Sequence, residues 1–354
     1  MSAASFAVAQ TPPPATGAQD NQGVRIQGRT GNAAPPSDGF GAVLDLKDEM
    51  RGLVERIGTY ARRQKPRFLV IAHGGLELLS KRNLDDDKEA PARTYMRSLD
   101  GLMVDGLFVG YPTYGQPTRD GVKELMAPLV TLARRNGLPI MTLDFTRDRK
   151  TIDAVLRSSA KNGFAPAVAP APTDDISELP PYPRRPYNEN PKSIISLTQV
   201  KNFAYISNSA AFGRSDEFAL KLHNTNYDVL VVDVMHGRTP LSKRAVETLK
   251  YKKLGSRRLV FARMDIGTAA SYHYYWKEGW GEGSPGWITA PLPGDPDRFF
   301  VEFWQGPWQN IITGNAQSYV FGIVNQGYDG VVLEGLNTFR FFEGGADSFA
   351  EALP

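Results

Sequence analysis

A chain of 354 residues that is 41% hydrophobic and 22% charged has a globular composition, with room for one large α/β barrel or two ordinary domains. Its 41 basic and 38 acidic residues are interspersed and leave a net charge of +3, so no basic stripe marks a nucleic-acid partner. The absence of cysteine excludes disulfides, thiolate metal sites and a cysteine nucleophile, and the four histidines (His73, His223, His236, His273) lack the HxH or HxxxH spacing of a zinc site.

At the N-terminus, Ala7-Val8-Ala9 has the small-x-small pattern of a signal cleavage site, without a basic stretch before it. A Pro/Gly/Gln-rich spacer follows to Ser37, too polar to bury a core. Residues 1–44 are therefore expected to be a signal remnant and disordered spacer, and the protein to be secreted or periplasmic. No apolar run reaches the roughly 20 residues that span a bilayer. From Leu46, the positions Leu46, Met50, Leu53, Val54, Ile57 and Tyr60 recur every 3–4 residues, which predicts a helix with one buried stripe. The run Phe68-Leu-Val-Ile71 then reads as a parallel strand covered on both faces. Strands at 102–109 and 139–145 follow, separated by a helix through Val122, Leu125, Met126, Leu129, Val130 and Ala133 that ends at Asn136-Gly137.

Residues 171–197 hold too many prolines for a helix or interior strand and read as an extended linker. Further strands are expected at 203–206, 228–233, 258–265, 299–304 and 330–334, with helices near 242–253 and 307–326. Together with the three before the linker these make eight, and leave 164–168 as an extra. Alternating strands and helices mean a parallel sheet, and eight strands favour a single (β/α)₈ barrel over residues 45–345, followed by a tail at 346–354. No Gly-x-Gly-x-x-Gly or Walker loop follows a strand, and no cofactor is expected.

Three stretches carry a resemblance: Leu259-Val-Phe-Ala-Arg-Met-Asp-Ile-Gly-Thr-Ala-Ala-Ser-Tyr-His-Tyr-Tyr-Trp276, Phe300-Val-Glu-Phe-Trp-Gln-Gly-Pro-Trp-Gln309 and Gly327-Tyr-Asp-Gly-Val-Val-Leu-Glu334. They are similar, in order, to the endo-α-1,4-polygalactosaminidase family of glycoside hydrolases. The N-terminal half resembles that family's C-terminal half, through Pro66-Arg-Phe-Leu-Val-Ile-Ala-His-Gly-Gly-Leu-Glu-Leu-Leu79, Asp100-Gly-Leu-Met-Val-Asp105 and Leu138-Pro-Ile-Met-Thr-Leu-Asp-Phe145. The resemblance thus implies a circularly permuted barrel joined through 171–197, and strands 203–206 and 139–145 are expected to pair and close it.

Barrel sites form at the C-terminal strand ends, which here carry Asp105, Asp144, Asp233, Asp265 and Glu334, with Glu77 just past another strand. Converging acids suit glycoside hydrolysis, which needs one protonated and one ionised carboxyl. By the resemblance, Glu334 and Asp105 are the catalytic pair. Asp233, Asp144, Asp265, Glu77 and His73 are expected to bind substrate, and the aromatics Tyr272, Tyr275, Trp276 and Trp304 to face sugar rings. The implied partner is an amino-sugar polysaccharide, met by a monomer without a metal. Arg263 and Asp265, alternating on one strand face, read as an ion pair inside the barrel, and Asp329, before its strand, as a cap. Where the family has Gly-Glu-Ala-Glu, this chain has Gly267-Thr-Ala-Ala270. A barrel that binds glycans without cleaving them therefore stands as the alternative.

Overall fold

The computed structural model describes residues 44–82 and 89–353, so the expected signal remnant and the spacer up to Val43 lie outside the described residues. Helix α1 (Leu46–Gln64) starts where the Asp45 carboxylate accepts from the Asp48 amide at 2.9 Å. Of the predicted stripe, Met50, Leu53, Val54 and Ile57 are fully buried, while Leu46 and Tyr60 at its edges are partly buried.

Eight parallel strands follow: β1 (Leu69–His73), β2 (Gly101–Asp105), β3 (Ile140–Phe145), β4 (Ala165–Ala169), β5 (Phe203–Ile206), β6 (Val229–Asp233), β7 (Leu259–Asp265) and β8 (Gly330–Glu334). Their hydrogen-bonded order is β4-β3-β2-β1-β8-β7-β6-β5. The two ends of this ladder, β4 and β5, lie side by side without a hydrogen-bonded register, so the sheet is nearly closed into an α/β barrel. Between strands run α2 (Arg93–Ser98), α3 (Asp120–Arg135), α4 (Arg149–Lys161), α5 (Ser215–His223), α6 (Lys243–Leu249), α7 (Gly306–Ile312) and α8 (Tyr319–Gln326), and α9 (Phe339–Ala350) follows β8. Among the described residues no helix is long and apolar enough to cross a membrane.

Two strand assignments need correction. Residues 164–168, read as an extra, supply barrel strand β4, whose Pro166 has no N–H to donate. That is tolerated because β4 pairs on one side only, with β3. Residues 299–304 are not in the barrel. Asp295–Val301 pairs antiparallel with Thr268–Ala270 and Ile288–Leu292 in a separate three-stranded sheet. It follows that 139–145 does not pair with 203–206, since β3 is paired with β2 and β4. The expected strand 102–109 ends at Asp105, because Gly106 turns the chain with φ of +54° in a spot where a Cβ would meet Tyr111. Of the expected tail at 346–354, the described residues up to Leu353 dock rather than trail. Helix α9 breaks at Gly344 and Gly345 and resumes, Ala352 is buried, and the Leu353 carbonyl accepts from Asn337 at 2.7 Å.

At the lower end of the barrel one device recurs. Asp100, Asp228 and Asp329 each precede a strand, and each accepts an amide of the neighbouring strand or its approach: Val70 at 2.8 Å, Lys201 at 2.8 Å and Val260 at 3.0 Å. Each carboxylate satisfies an amide at the start of a ladder and so fixes which residues face each other at the mouth. Asp329, read as a cap, takes this role and also accepts from Arg257 at 2.6 Å.

Candidate active site at the barrel mouth

The strand ends converge on one buried hub. Glu334, closing β8, receives Arg263 of β7 through Nη2 at 2.7 Å and Nε at 3.1 Å, and the Tyr205 hydroxyl of β5 donates to its Oε1. His73, closing β1, lies between Glu334 and Asp105, with Nδ1 at 3.4 Å from Glu334 Oε1 and Nε2 at 2.6 Å from Asp105 Oδ1. Burial works against a charged ring, yet Asp105 and then Glu334 hold the imidazole up to about 10, so both N–H groups donate at neutral pH. Burial pushes the Glu334 carboxyl up to about 7 against the lowering effect of His73.

Arg263 is also the route by which other strands join the hub. It stands in register with Asp233 of β6, whose Oδ2 lies 3.8 Å from Nη1, and it reaches Asp174 at 2.9 Å. The expected pairing of Arg263 with Asp265 is therefore not formed. Asp265 holds the following loop instead, accepting from the Gly267 and Thr268 amides at 2.9 Å each, and it pairs with Arg298. Burial raises the Asp233 carboxyl, against Arg263, and the Met235 amide donates to its Oδ1 at 2.7 Å.

A cleft of about 290 Å³ opens above this network, lined by Asp233, Arg263, Asp265, Arg298 and Glu334, with Tyr272, His273, Tyr275 and Tyr319 on one wall. His273 is sandwiched between Tyr272 and Tyr275, and burial lowers it to about 4, so the ring is neutral. Tyr275 is buried, and its hydroxyl oxygen accepts the Ala270 amide, whereas Tyr272 is exposed.

Four of the expected site residues lie elsewhere. Glu77 is turned outward to Arg340 and, at 3.2 Å, Lys47, in a separate cavity with Asp45 and Arg51. The run past β1 forms a 3-10 turn, Leu76–Leu79, which carries Glu77 off the rim. Trp276 stacks on Phe299 of the antiparallel hairpin, and Trp304 packs edge-on against Phe342 of α9, so both serve aromatic packing. Asp144 is fully buried, and its Oδ1 accepts the Phe108 and Val109 amides at 2.7 and 2.8 Å. Burial raises its carboxyl to about 7 despite those two bonds, and its Oδ2 has no partner among the described residues. Folded Asp144 thus keeps its proton where the unfolded chain has lost it. It stabilises the fold at low pH and loses that contribution as pH rises toward 7. Asp144→Asn should flatten this part of a stability-versus-pH curve measured by urea unfolding, and an unchanged slope would assign the proton to another group.

Sequence reasoning missed Tyr205, Arg298, Thr173 and Asp174. The last two belong to the Pro-rich linker, which crosses the mouth: Thr173 donates to Asp105 Oδ2 at 2.6 Å, and Asp174 reaches Arg263 and, at 3.7 Å, Arg298. Neither the linker nor the hairpin has periodicity to say which way a side chain points. Their signal was only charge near a strand end.

The fold and mouth define an α/β barrel with a carboxylate-rich, histidine-bridged cleft. No protein-family profile matches the chain. It is similar to a Thermotoga maritima protein described as uncharacterized, 24% identical over 123 residues, and to a Deinococcus radiodurans protein described likewise, 28% identical over 120 residues. These matches cover 35% and 34% of this chain, and the chain spans only about a third (36%) of the length of each relative.

Proposed function

We propose that this barrel is a glycoside hydrolase acting on an amino-sugar-containing, galactosaminogalactan-like polysaccharide, with Glu334 as general acid and Asp105 as its partner carboxylate. The His73 bridge carries the reading. Its two contacts and the width of one imidazole ring set the facing carboxyl oxygens at most about 8 Å apart, within the span that glycoside hydrolysis uses. Burial that raises Glu334 supplies a proton donor near neutral pH. Asp105, Asp174, Asp233, Asp265 and Asp295 outnumber Arg263, Arg298 and His73 at the mouth even with Glu334 protonated, which favours a cationic sugar. The resemblance to the polygalactosaminidase family supports the same substrate class. The swapped order of the halves belongs to this proposal, with the join at the β4–β5 seam in place of the 139–145 pairing. So do a secreted or periplasmic location and a monomeric state.

One observation favours a second reading, a carbohydrate-binding barrel associated with exopolysaccharide that does not cleave. Every carboxyl oxygen of Glu334 and Asp105 has a protein partner. Incubating purified protein with deacetylated galactosaminogalactan and measuring new reducing ends decides between them. Under the hydrolase reading kcat should decline as pH rises through about 7, because Glu334 must carry its proton beside His73 and Arg263 to protonate the leaving oxygen. A rate flat from pH 6 to 9 would remove Glu334 as the acid.

A further inference from the structure

Two cavities open on the mouth, and Asp174 is the residue common to their linings. The first is the charged cleft already described; the second, of about 480 Å³, is walled by Tyr111, Tyr114, Phe145 and Phe349, with His73 and Asp105 at its edge. Glu334 faces the first and Asp105 the second, so the His73 ring that joins them lies at the partition. At about 290 Å³ the first cavity sits at the lower limit of the roughly 300–1,000 Å³ typical of ligand pockets, so an oligomer needs both.

The partition is narrow, and both its ends are fixed. The Pro170 carbonyl accepts from Tyr114 Oη at 2.7 Å and Arg147 Nε at 3.0 Å, while buried Ile176 exchanges hydrogen bonds with Ser207 and Asn208. Between them the chain is tied to the mouth through the Thr173 hydroxyl and the Asp174 carboxylate. The Asp174 side chain is 64% exposed while the Arg263 and Arg298 side chains are only 13% exposed, so when these pairs open the carboxylate passes into water and the guanidiniums are the partners that need other contacts. When it leaves, neither guanidinium is orphaned, since Arg263 keeps Glu334 and Arg298 keeps Asp265.

We propose that the aromatic cavity is a second sugar subsite, and that Asp174 is a gate which swings off Arg263 and Arg298 when an oligomer crosses between the two cavities. The sugar chemistry rests on the function proposed above; the gate does not. Binding of galactosamine monomer and of short and longer α-1,4-linked oligomers, measured by calorimetry, tests the subsite. Affinity should rise with length in the wild type. Asp174→Ala should tighten the longer oligomers about two- to fivefold with the monomer unchanged, and Tyr114→Ala should remove the gain with length. Affinity independent of length, or an Asp174→Ala variant that binds every length more weakly, overturns the proposal, the latter by making Asp174 a ligand contact. Hydrogen exchange tests the gate without ligand: amides at 171–176 should exchange several-fold faster in Asp174→Ala while β7 and β8 are unchanged, and equal rates there overturn it. If no oligomer binds the wild type, the amino-sugar reading falls and takes the subsite with it, and hydrogen exchange alone then decides the gate.

Discussion

Replacing Asp228 by alanine is expected to destabilise the protein by about 3–5 kcal/mol, the loss typical of breaking a buried ion pair from one side. Asp228 and Lys252 are both fully buried, with Lys252 Nζ 2.6 Å from Asp228 Oδ1. The same ammonium donates to the Asn190 and Lys192 carbonyls at 2.7 and 3.0 Å, so it fastens the end of the Pro-rich linker to the base of the barrel beside the β4–β5 seam. Alanine leaves that charge without its counter-ion and also strips the Lys201 amide of its acceptor. Urea unfolding of Asp228→Ala, Lys252→Met and the double variant checks this. The double variant should lose clearly less than the two single losses added, because the second change removes the charge that the first leaves stranded. A loss under about 1 kcal/mol for Asp228→Ala would mean that water reaches Lys252, and that the seam is looser than this packing implies.

How far the fold was legible follows from what each strand is made of. β1, β6 and β8 carry continuous apolar runs, and β7 opens on Leu-Val-Phe-Ala before Arg263, the pattern of a parallel strand covered on both faces, and they stand where the sequence predicts. β4 is Ala-Pro-Ala-Val-Ala, with little β propensity and a proline, and only its place at the seam makes it a strand. Phe299 to Val301 has the opposite character. Its apolar run looks like core strand, but Pro293-Gly294 turns it into a hairpin whose pairing is local. Composition separates strands from loops well; whether a strand joins the barrel or a side sheet depends on partners far away in sequence.

The same division holds at the mouth. Asp233, Asp265 and Glu334 reach it because a predicted strand ends on them, so their placement needs no tertiary knowledge, whereas Asp105 ends its strand, four residues before the expected end, only because Gly106 turns the chain. Asp144 ends a strand too, yet its carboxylate turns to the amides of the loop after β2, an outcome set by that loop's path. Arg263 was placed in the barrel interior, but its partner depends on the neighbouring register. Asp265 aligns with Glu334, which puts the Glu334 carboxylate on the diagonal within reach of the Arg263 guanidinium. Asp174 and Arg298 come from segments whose position only docking onto the barrel decides.

For the proposed hydrolysis, Glu334→Gln and Asp105→Asn should each lower kcat by roughly 10²–10⁴-fold, the usual worth of acid–base assistance, with KM little changed. An amide keeps the shape of either side chain but cannot give up a strongly acidic proton, nor act as base or nucleophile. Folding should survive at Glu334 because Arg263 retains Asp174 at 2.9 Å and has Asp233 at 3.8 Å, so its buried charge is not left alone. At Asp105 the asparagine oxygen can still accept from either His73 or Thr173, the two partners that hold the carboxylate now. Circular dichroism and urea unfolding separate lost chemistry from lost structure, and oligosaccharide binding should persist in both variants, since Tyr272 and the cleft wall are untouched. Loss of less than about tenfold in either variant would mean that the wrong carboxylate has been chosen. Asp233 is then the next candidate, because it lines the same cleft and, among the described residues, its Oδ2 accepts no hydrogen bond, with Arg263 Nη1 3.8 Å away.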